Sequence, residues 1–283
     1  MRLIRPEFSA CKIMLLCISL AISGCTNIFF QPLRQHLASP DQYKIDYEDI
    51  YFKGSTDLNL HGWWFPGLFS ATQPLRGTVI FLHGNGENIS THAGLVYWLT
   101  KYQYDVFIFD YRGYGKSEGD VQLEGILDDI NSARKYVESR KHKNSKLFVI
   151  GHSLGASLGI VNLATNSDKV DGMILVSPFS DYRKITREVM SNSWLTWAFQ
   201  WPVSMAMSTE YNSIDFVNGL PDVPKVFIYS NNDRMINSEH IKALYKKASE
   251  PKFIEAVNGY HNSIFAQKES QQIIINYLQQ WSR

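Results

Sequence analysis

Short unbroken apolar runs recur along this chain from residue 45 onward, and longer amphipathic stretches separate them. The runs at 78–82 (TVIFL), 106–109 (VFIF), 147–150 (LFVI), 173–176 (MILV) and 226–229 (VFIY) are rich in β-branched and aromatic residues. They lack the polar alternation of a half-exposed strand, which predicts strands covered on both faces. Two earlier runs, 47–52 and 58–65, read as an opening pair of strands joined by a turn at 53–57, and 253–257 closes the series. Helical patterns fall between them at about 91–101, 122–140, 154–164, 238–248 and 264–281. Strands alternating with helices predict a mostly parallel, doubly wound α/β sheet. Ligands on such sheets bind at the carboxyl ends of the strands.

One segment breaks the rhythm. Residues 180–223 separate two strands by far more than an ordinary connection. The segment holds Trp194, Trp197, Trp201, Phe199, Met190, Met205 and Met207. It reads either as a short helical cap that walls an apolar pocket or touches a membrane, or as an amphipathic helix pair packed on the sheet. The pattern alone leaves both open.

A chain of 283 residues, 45% hydrophobic and 19% charged, suits one large globular domain. A formal net charge of +1 gives no electrostatic basis for a nucleic-acid partner. All three cysteines, Cys11, Cys17 and Cys25, lie in the first 25 residues, so the main domain holds neither a disulfide nor a cysteine-based metal site. The eight histidines show no H-E-x-x-H spacing, and neither a metal nor a cofactor is implied.

The cysteine placement matches an export signal. Arg2, Arg5 and Lys12 precede a ten-residue apolar run at 13–22, too short for a comfortable membrane span. Ile22-Ser23-Gly24-Cys25 then resembles a bacterial lipobox, whose cysteine is acylated and becomes the mature amino terminus. The expected organisation is a lipoprotein-type signal at 1–24, a linker at 25–44 and one domain at 45–283, with the cap-like insertion at 180–223. The lipid at Cys25 would tether the protein to a membrane of the bacterial envelope. Thr26 after it permits sorting to the outer membrane, by resemblance to Gram-negative lipoproteins.

The chemistry centres on Gly151-His152-Ser153-Leu154-Gly155, directly after the strand at 147–150 and before a helical run. This is the nucleophile-elbow pattern G-x-S-x-G, a strained strand-to-helix turn that exposes one hydroxyl. A serine hydroxyl needs a base within hydrogen-bond reach, and the base needs an orienting acid. Asp233 lies just past the strand at 226–229, and His261 just past 253–257. The order Ser153, Asp233, His261 is the order this elbow expects. Asp181 is the rival acid; Asp215 and Asp222 are weaker ones. His152 and His83 read as structural. His83-Gly84-Asn85-Gly86 follows the strand at 78–82, and its glycines let backbone N–H groups face inward. The N–H groups of Asn85 and Leu154 are the candidate oxyanion donors. Gly115-Lys116-Ser117 is not a nucleotide loop, because Asp110 stands where a Walker A motif needs glycine. Asp110 to Ser117 instead reads as a loop beside the site, with Arg112 pairing with a carboxylate.

Together, His83-Gly84-Asn85-Gly86, Asp110-Tyr111-Arg112-Gly113-Tyr114-Gly115-Lys116-Ser117, Gly151-His152-Ser153-Leu154-Gly155, Asp233 and His261 resemble the α/β-hydrolase superfamily. Within it they resemble the branch of monoacylglycerol-lipase-like and serine-aminopeptidase-like hydrolases. The resemblance spans about 45–283 and implies an α/β-hydrolase fold, with Ser153 as nucleophile, His261 as base and Asp233 as acid. It implies a small-molecule acyl substrate: an ester, lipid-like or otherwise, a thioester or an amide. The short cap departs from the pattern and weakens the case for peptidase-type recognition of a substrate amine. The expected function is that of a carboxylic-ester hydrolase. A peptidase, amidase or acyltransferase with the same triad is the first alternative. A non-catalytic envelope binding protein on the same fold is the second.

Overall fold

The computed structural model describes residues 29–70, 72–166 and 170–283. The signal-like segment and Cys25 lie outside the described residues. The apolar runs form one eight-stranded sheet. Its strands are β2 (Glu48–Lys53), β3 (Asn59–Phe65), β4 (Gly77–Leu82), β6 (Tyr104–Phe109), β7 (Lys146–His152), β8 (Gly172–Val176), β9 (Lys225–Ser230) and β10 (Lys252–Val257). A separate parallel pair joins β1 (Gln31–Pro32) to β5 (Gly86–Glu87).

The unbroken hydrophobicity of the central strands has a direct cause. Successive side chains point to opposite faces, and each face meets its own apolar layer. Ile80, Leu82, Phe107 and Phe109 belong to one core, with helices α2 (Leu123–Arg140), α3 (Leu154–Thr165) and α8 (Ser238–Lys247). Val79, Phe81, Val106 and Ile108 belong to the other, with α9 (Lys268–Trp281) and the turns after α1 (Ile89–His92). A polar residue at any of these positions would be buried whichever face it took.

Across the sheet the order is β10-β9-β8-β7-β4-β6-β3-β2. The β2–β3 hairpin and the β3–β6 pair are antiparallel; every other neighbouring pair is parallel. The chain leaves β4 for β6 on one side and returns to β7 on the other. β4 and β7 therefore flank the topological switch point, the place where ligands bind on sheets of this kind. Their register pairs Leu82 with Gly151, which sets the loop at His83 beside the elbow at Ser153.

The segment at 180–223 forms four short helices: α4 (Tyr182–Ser191), α5 (Trp194–Trp197), α6 (Gln200–Met205) and α7 (Ser213–Phe216). The segment is packed on the domain on one side only. Tyr182, Ile185 and Met207 are buried against the domain, whereas the tryptophans face outward.

Three expectations need correction. Residues 29–44 are not a free linker, since Phe30 is 5% exposed and β1 is hydrogen-bonded along β5. The arm is held through its main chain and one polar side chain: Asn88 Nδ2 donates to Leu33 O and Gln35 O, and the Arg34 guanidinium donates to Ser117 O. The helix expected at 91–101 is a single α turn followed by 3-10 turns at Ala93–Leu95 and Tyr97–Tyr102, with Gly94, the poorest helix former after proline, at the break. The helix expected at 264–281 starts only at Lys268, because Gln267 is extended and a separate 3-10 turn covers His261–Ala266.

Candidate active site

Ser153 sits in the turn from β7 into α3 with φ 52° and ψ −116°. A non-glycine residue held there stores about 1–3 kcal/mol of strain, so the surroundings must fix it. They do so in three ways. The Ser153 N–H donates to Val176 O at 2.8 Å. A Cβ on Gly151 would stand 2.5 Å from Ala156 Cα, and one on Gly155 would stand 2.1 Å from Leu82 O. The two glycines of the motif are thus required by close backbone approach, to the helix in one case and to β4 in the other. Leu154 opens α3, so its N–H has no partner one helical turn back.

His261 begins the 3-10 turn after β10, and Asp233 lies in the turn after β9. The parallel register of those strands, ending with Val257 opposite Ser230, brings the two turns together. His261 Nδ1 lies 2.7 Å from Asp233 Oδ2. An ionised carboxylate only accepts, so Nδ1 carries the proton and Nε2 is left as the acceptor. Asp233 is further held by the N–H groups of Met235 at 2.8 Å and Ile236 at 2.9 Å, both on Oδ1, and by the Ser177 hydroxyl at 3.1 Å on Oδ2. Burial alone would raise its pKa, but the hydrogen bond and charge of His261, with the two N–H groups, hold it below the usual carboxylate range.

The His261 ring also lies 4.9 Å, centroid to centroid, from that of His152, the residue before Ser153. The imidazole therefore rests against the elbow. His152 itself is 2% exposed, and burial with neighbouring histidines drives its pKa well down, so it stays neutral and packs as expected. His83 stacks on Tyr111 with centroids 4.1 Å apart, and its Nδ1 donates to Gly84 O at 2.8 Å. Burial pushes its pKa down to about 3.

The rival acids have other partners or places. Asp181 caps α4, accepting from Lys184 N at 2.6 Å and Asn212 Nδ2 at 2.9 Å. Asp215 sits in the first turn of α7, and Asp222 is exposed. Arg112 pairs with buried Asp129 at 2.7 Å, as the sequence suggested.

Asn85 holds a contact that sequence reasoning missed. Its Nδ2 donates to Phe29 O at 2.7 Å, and its Oδ1 accepts from Gln31 N at 3.1 Å. Tyr114 donates its hydroxyl to Asn85 O at 3.0 Å. The amino-terminal arm thus grips the loop that follows β4. Ser177 and Tyr114 were missed for a related reason: nothing in local spacing marks them. The paired aromatics Phe29 and Phe30 were the available sign that the arm is buried.

Among the described residues, one group has ligand-type atoms in metal-like proximity. His36, His61 and Asp110 bring theirs within 4.8 Å of one another. The contacts are hydrogen bonds of 2.9 Å from each imidazole to Asp110 Oδ2, with Asp49 2.7 Å from the other nitrogen of His61. Burial would raise the Asp110 pKa, but these bonds and that of the Ile89 N–H hold the carboxylate well below its ordinary range. The cluster joins the arm, through His36, to the loops beside the site.

Residues 73–218 match the family described as serine aminopeptidase, S33. The chain is 28% identical over 256 residues to the uncharacterized protein YfhR of Escherichia coli K12, covering 89% of this chain and 85% of that one. It is 30% identical over 251 residues to YfhR of Salmonella typhimurium, with 85% and 82% covered. Among solved structures, the Pyrococcus furiosus esterase Pf2001 superposes with a TM-score of 0.75 at 21% identity, covering 90% of this chain and 98% of that one.

Proposed function

The chain belongs to the serine aminopeptidase S33 family of α/β-hydrolases, and from that premise we propose that it is a serine hydrolase of carboxylic esters. The observation that carries the reading is the 2.7 Å contact between His261 Nδ1 and Asp233 Oδ2, made against the strained elbow at Ser153. Ser153 Oγ attacks the acyl carbonyl as His261 Nε2 takes its proton. Asp233 fixes the tautomer and stabilises the imidazolium. The main-chain N–H groups of Asn85 and Leu154 receive the oxyanion; the side chain of Asn85 is already committed to the arm. His261 returns its proton to the leaving alkoxide, then activates water to release the acyl group.

Ester chemistry is favoured over aminopeptidase chemistry by the carboxylates of α4 and its amino-terminal cap. An amine-recognising pocket needs a carboxylate free to meet the amine. Asp181 is used as a helix cap, and Glu188 already faces His240 at 3.1 Å and Lys184 at 3.9 Å. The proposal also places the protein in the bacterial envelope, exported by residues 1–24 and tethered through acylated Cys25. No helix among the described residues is long and apolar enough to cross a membrane.

A fluorophosphonate probe tests the chemistry. Labelling that disappears in Ser153→Ala is the expected result. Intact folded protein that does not label would make this an envelope binding protein instead. Parallel assays on acyl esters and on amino-terminal amides separate esterase from peptidase, and ester products formed with an added alcohol would identify an acyltransferase. Palmitate incorporation that is lost in Cys25→Ala tests the tether.

A further inference from the structure

Helices α5 and α6 carry an unusual surface. Trp194, Leu195, Trp197, Phe199, Trp201 and Met205 fall within twelve residues, and each is between 59% and 85% exposed. Scattered apolar residues need no explanation, but a contiguous patch of this kind marks a place where something docks. We propose that this patch inserts into the interfacial layer of an anionic membrane, so that the catalytic crevice faces the bilayer from which its acyl substrate comes. The proposal rests on the membrane tether of the preceding reading.

Three observations select a lipid surface as the occupant. The first is composition: tryptophan, with an apolar ring and one N–H donor, favours the headgroup boundary, and three of the six residues are tryptophan. The second is charge. Helix α4 beneath the patch carries Arg183, Lys184 and Arg187 against two carboxylates, Glu188 and the capping Asp181. Arg187 lies 5.0 Å from the centre of the Trp201 ring. Cations among exposed aromatics are the pattern of a helix lying on anionic lipid.

The third is where the chain enters. The Phe29 ring packs on Phe179 and Tyr182, with centroids 5.7 and 5.3 Å away. Tyr182 is the first residue of α4, and α6 packs back on α4. Cys25 precedes Phe29 by four residues, and an extended chain spans at most about 3.6 Å per residue. Those four residues limit the reach from Phe29 to a lipid carried on Cys25 to about 14 Å. A lipid on so short a lead would hold the base of the cap, where Phe29 meets Tyr182, close to the membrane surface.

The test uses the full chain in vesicles of phosphatidylcholine and phosphatidylglycerol. An environment-sensitive fluorophore is placed at Trp197→Cys or Trp201→Cys in a background carrying Cys11→Ala and Cys17→Ala. A third protein carries the label at Tyr51→Cys, on the exposed outer strand of the sheet. Blue-shifted emission and shielding from aqueous iodide at 197 and 201, but not at 51, are expected. Protein that floats with vesicles while all three labels stay open to iodide overturns the docking but leaves the tether standing. Protein that does not float with vesicles overturns both. A shift that fades as protein is diluted at constant lipid would assign the patch to a second copy of the chain, which also overturns the proposal.

Discussion

The side-chain amide of Asn85 donates to the carbonyl oxygen of Phe29 at 2.7 Å, joining the arm that precedes the domain to the loop proposed to hold the oxyanion. Gln31 N returns a bond to the same side chain, so the loop's position depends on a segment outside the sheet. Oxyanion stabilisation depends on the placement of donors, and small displacements are costly. Asn85→Ala keeps the main-chain N–H but releases the loop. Its kcat on an ester substrate should fall by about ten- to a hundredfold with KM little changed. An unchanged kcat would separate the arm from catalysis.

The arm is also part of the core. Phe30 is 5% exposed, and Phe-to-Ala changes at buried sites cost about 3–5 kcal/mol. Phe30→Ala should lower the unfolding free energy by about 3 kcal/mol in denaturant titration. A linker residue would cost almost nothing, so the two outcomes are well apart.

Replacing the acid separates the two candidate carboxylates. Asp233→Asn preserves shape but removes the acceptor that fixes the His261 tautomer, and kcat should drop by about 10⁴-fold. Asp181→Asn retains a good helix cap and should leave kcat within a few-fold. Steady-state kinetics on one ester decide it; equal losses would mean that Asp233 is not the orienting group.

The histidine behind the cap makes a prediction about acid stability. His240 Nδ1 accepts from the Ser180 N–H at 3.0 Å and its hydroxyl at 2.7 Å, and Nε2 donates to Glu188 at 3.1 Å. Protonation at Nδ1 would break the bonds from Ser180. Burial, helped by the charge of Lys184, pushes the pKa from 6.5 down to about 4. The folded state thus favours the neutral ring. The stability this contributes is complete above pH 6.5 and is lost as pH falls toward 4. Each pH unit across that window corresponds to about 1.4 kcal/mol. Urea unfolding at several pH values should show a shallower acid decline for His240→Gln than for the parent. Identical slopes would exclude His240 as a source of the acid sensitivity.

The strands and the elbow motif were readable in the sequence because they are local or periodic. The β4, β6 and β7 runs are apolar without interruption since each sheet face has its own core, and Gly151 and Gly155 are demanded by contacts with α3 and β4. The signal for Ser153 therefore lies within five residues of it. Folding decided the rest. Asp181 and Asp233 both follow strands and look alike as letters; only the parallel register of β9 and β10 sets Asp233 beside His261, while Asp181 turns to cap α4. The arm at 29–44 read as a linker because its polar residues show no periodicity. Its main-chain atoms bond to the side chains of Asn85 and Asn88, more than fifty residues away, and no spacing along a sequence encodes such contacts. Periodicity records which face of an element is buried. Partners brought together by the path of the chain leave no mark until the sheet has formed.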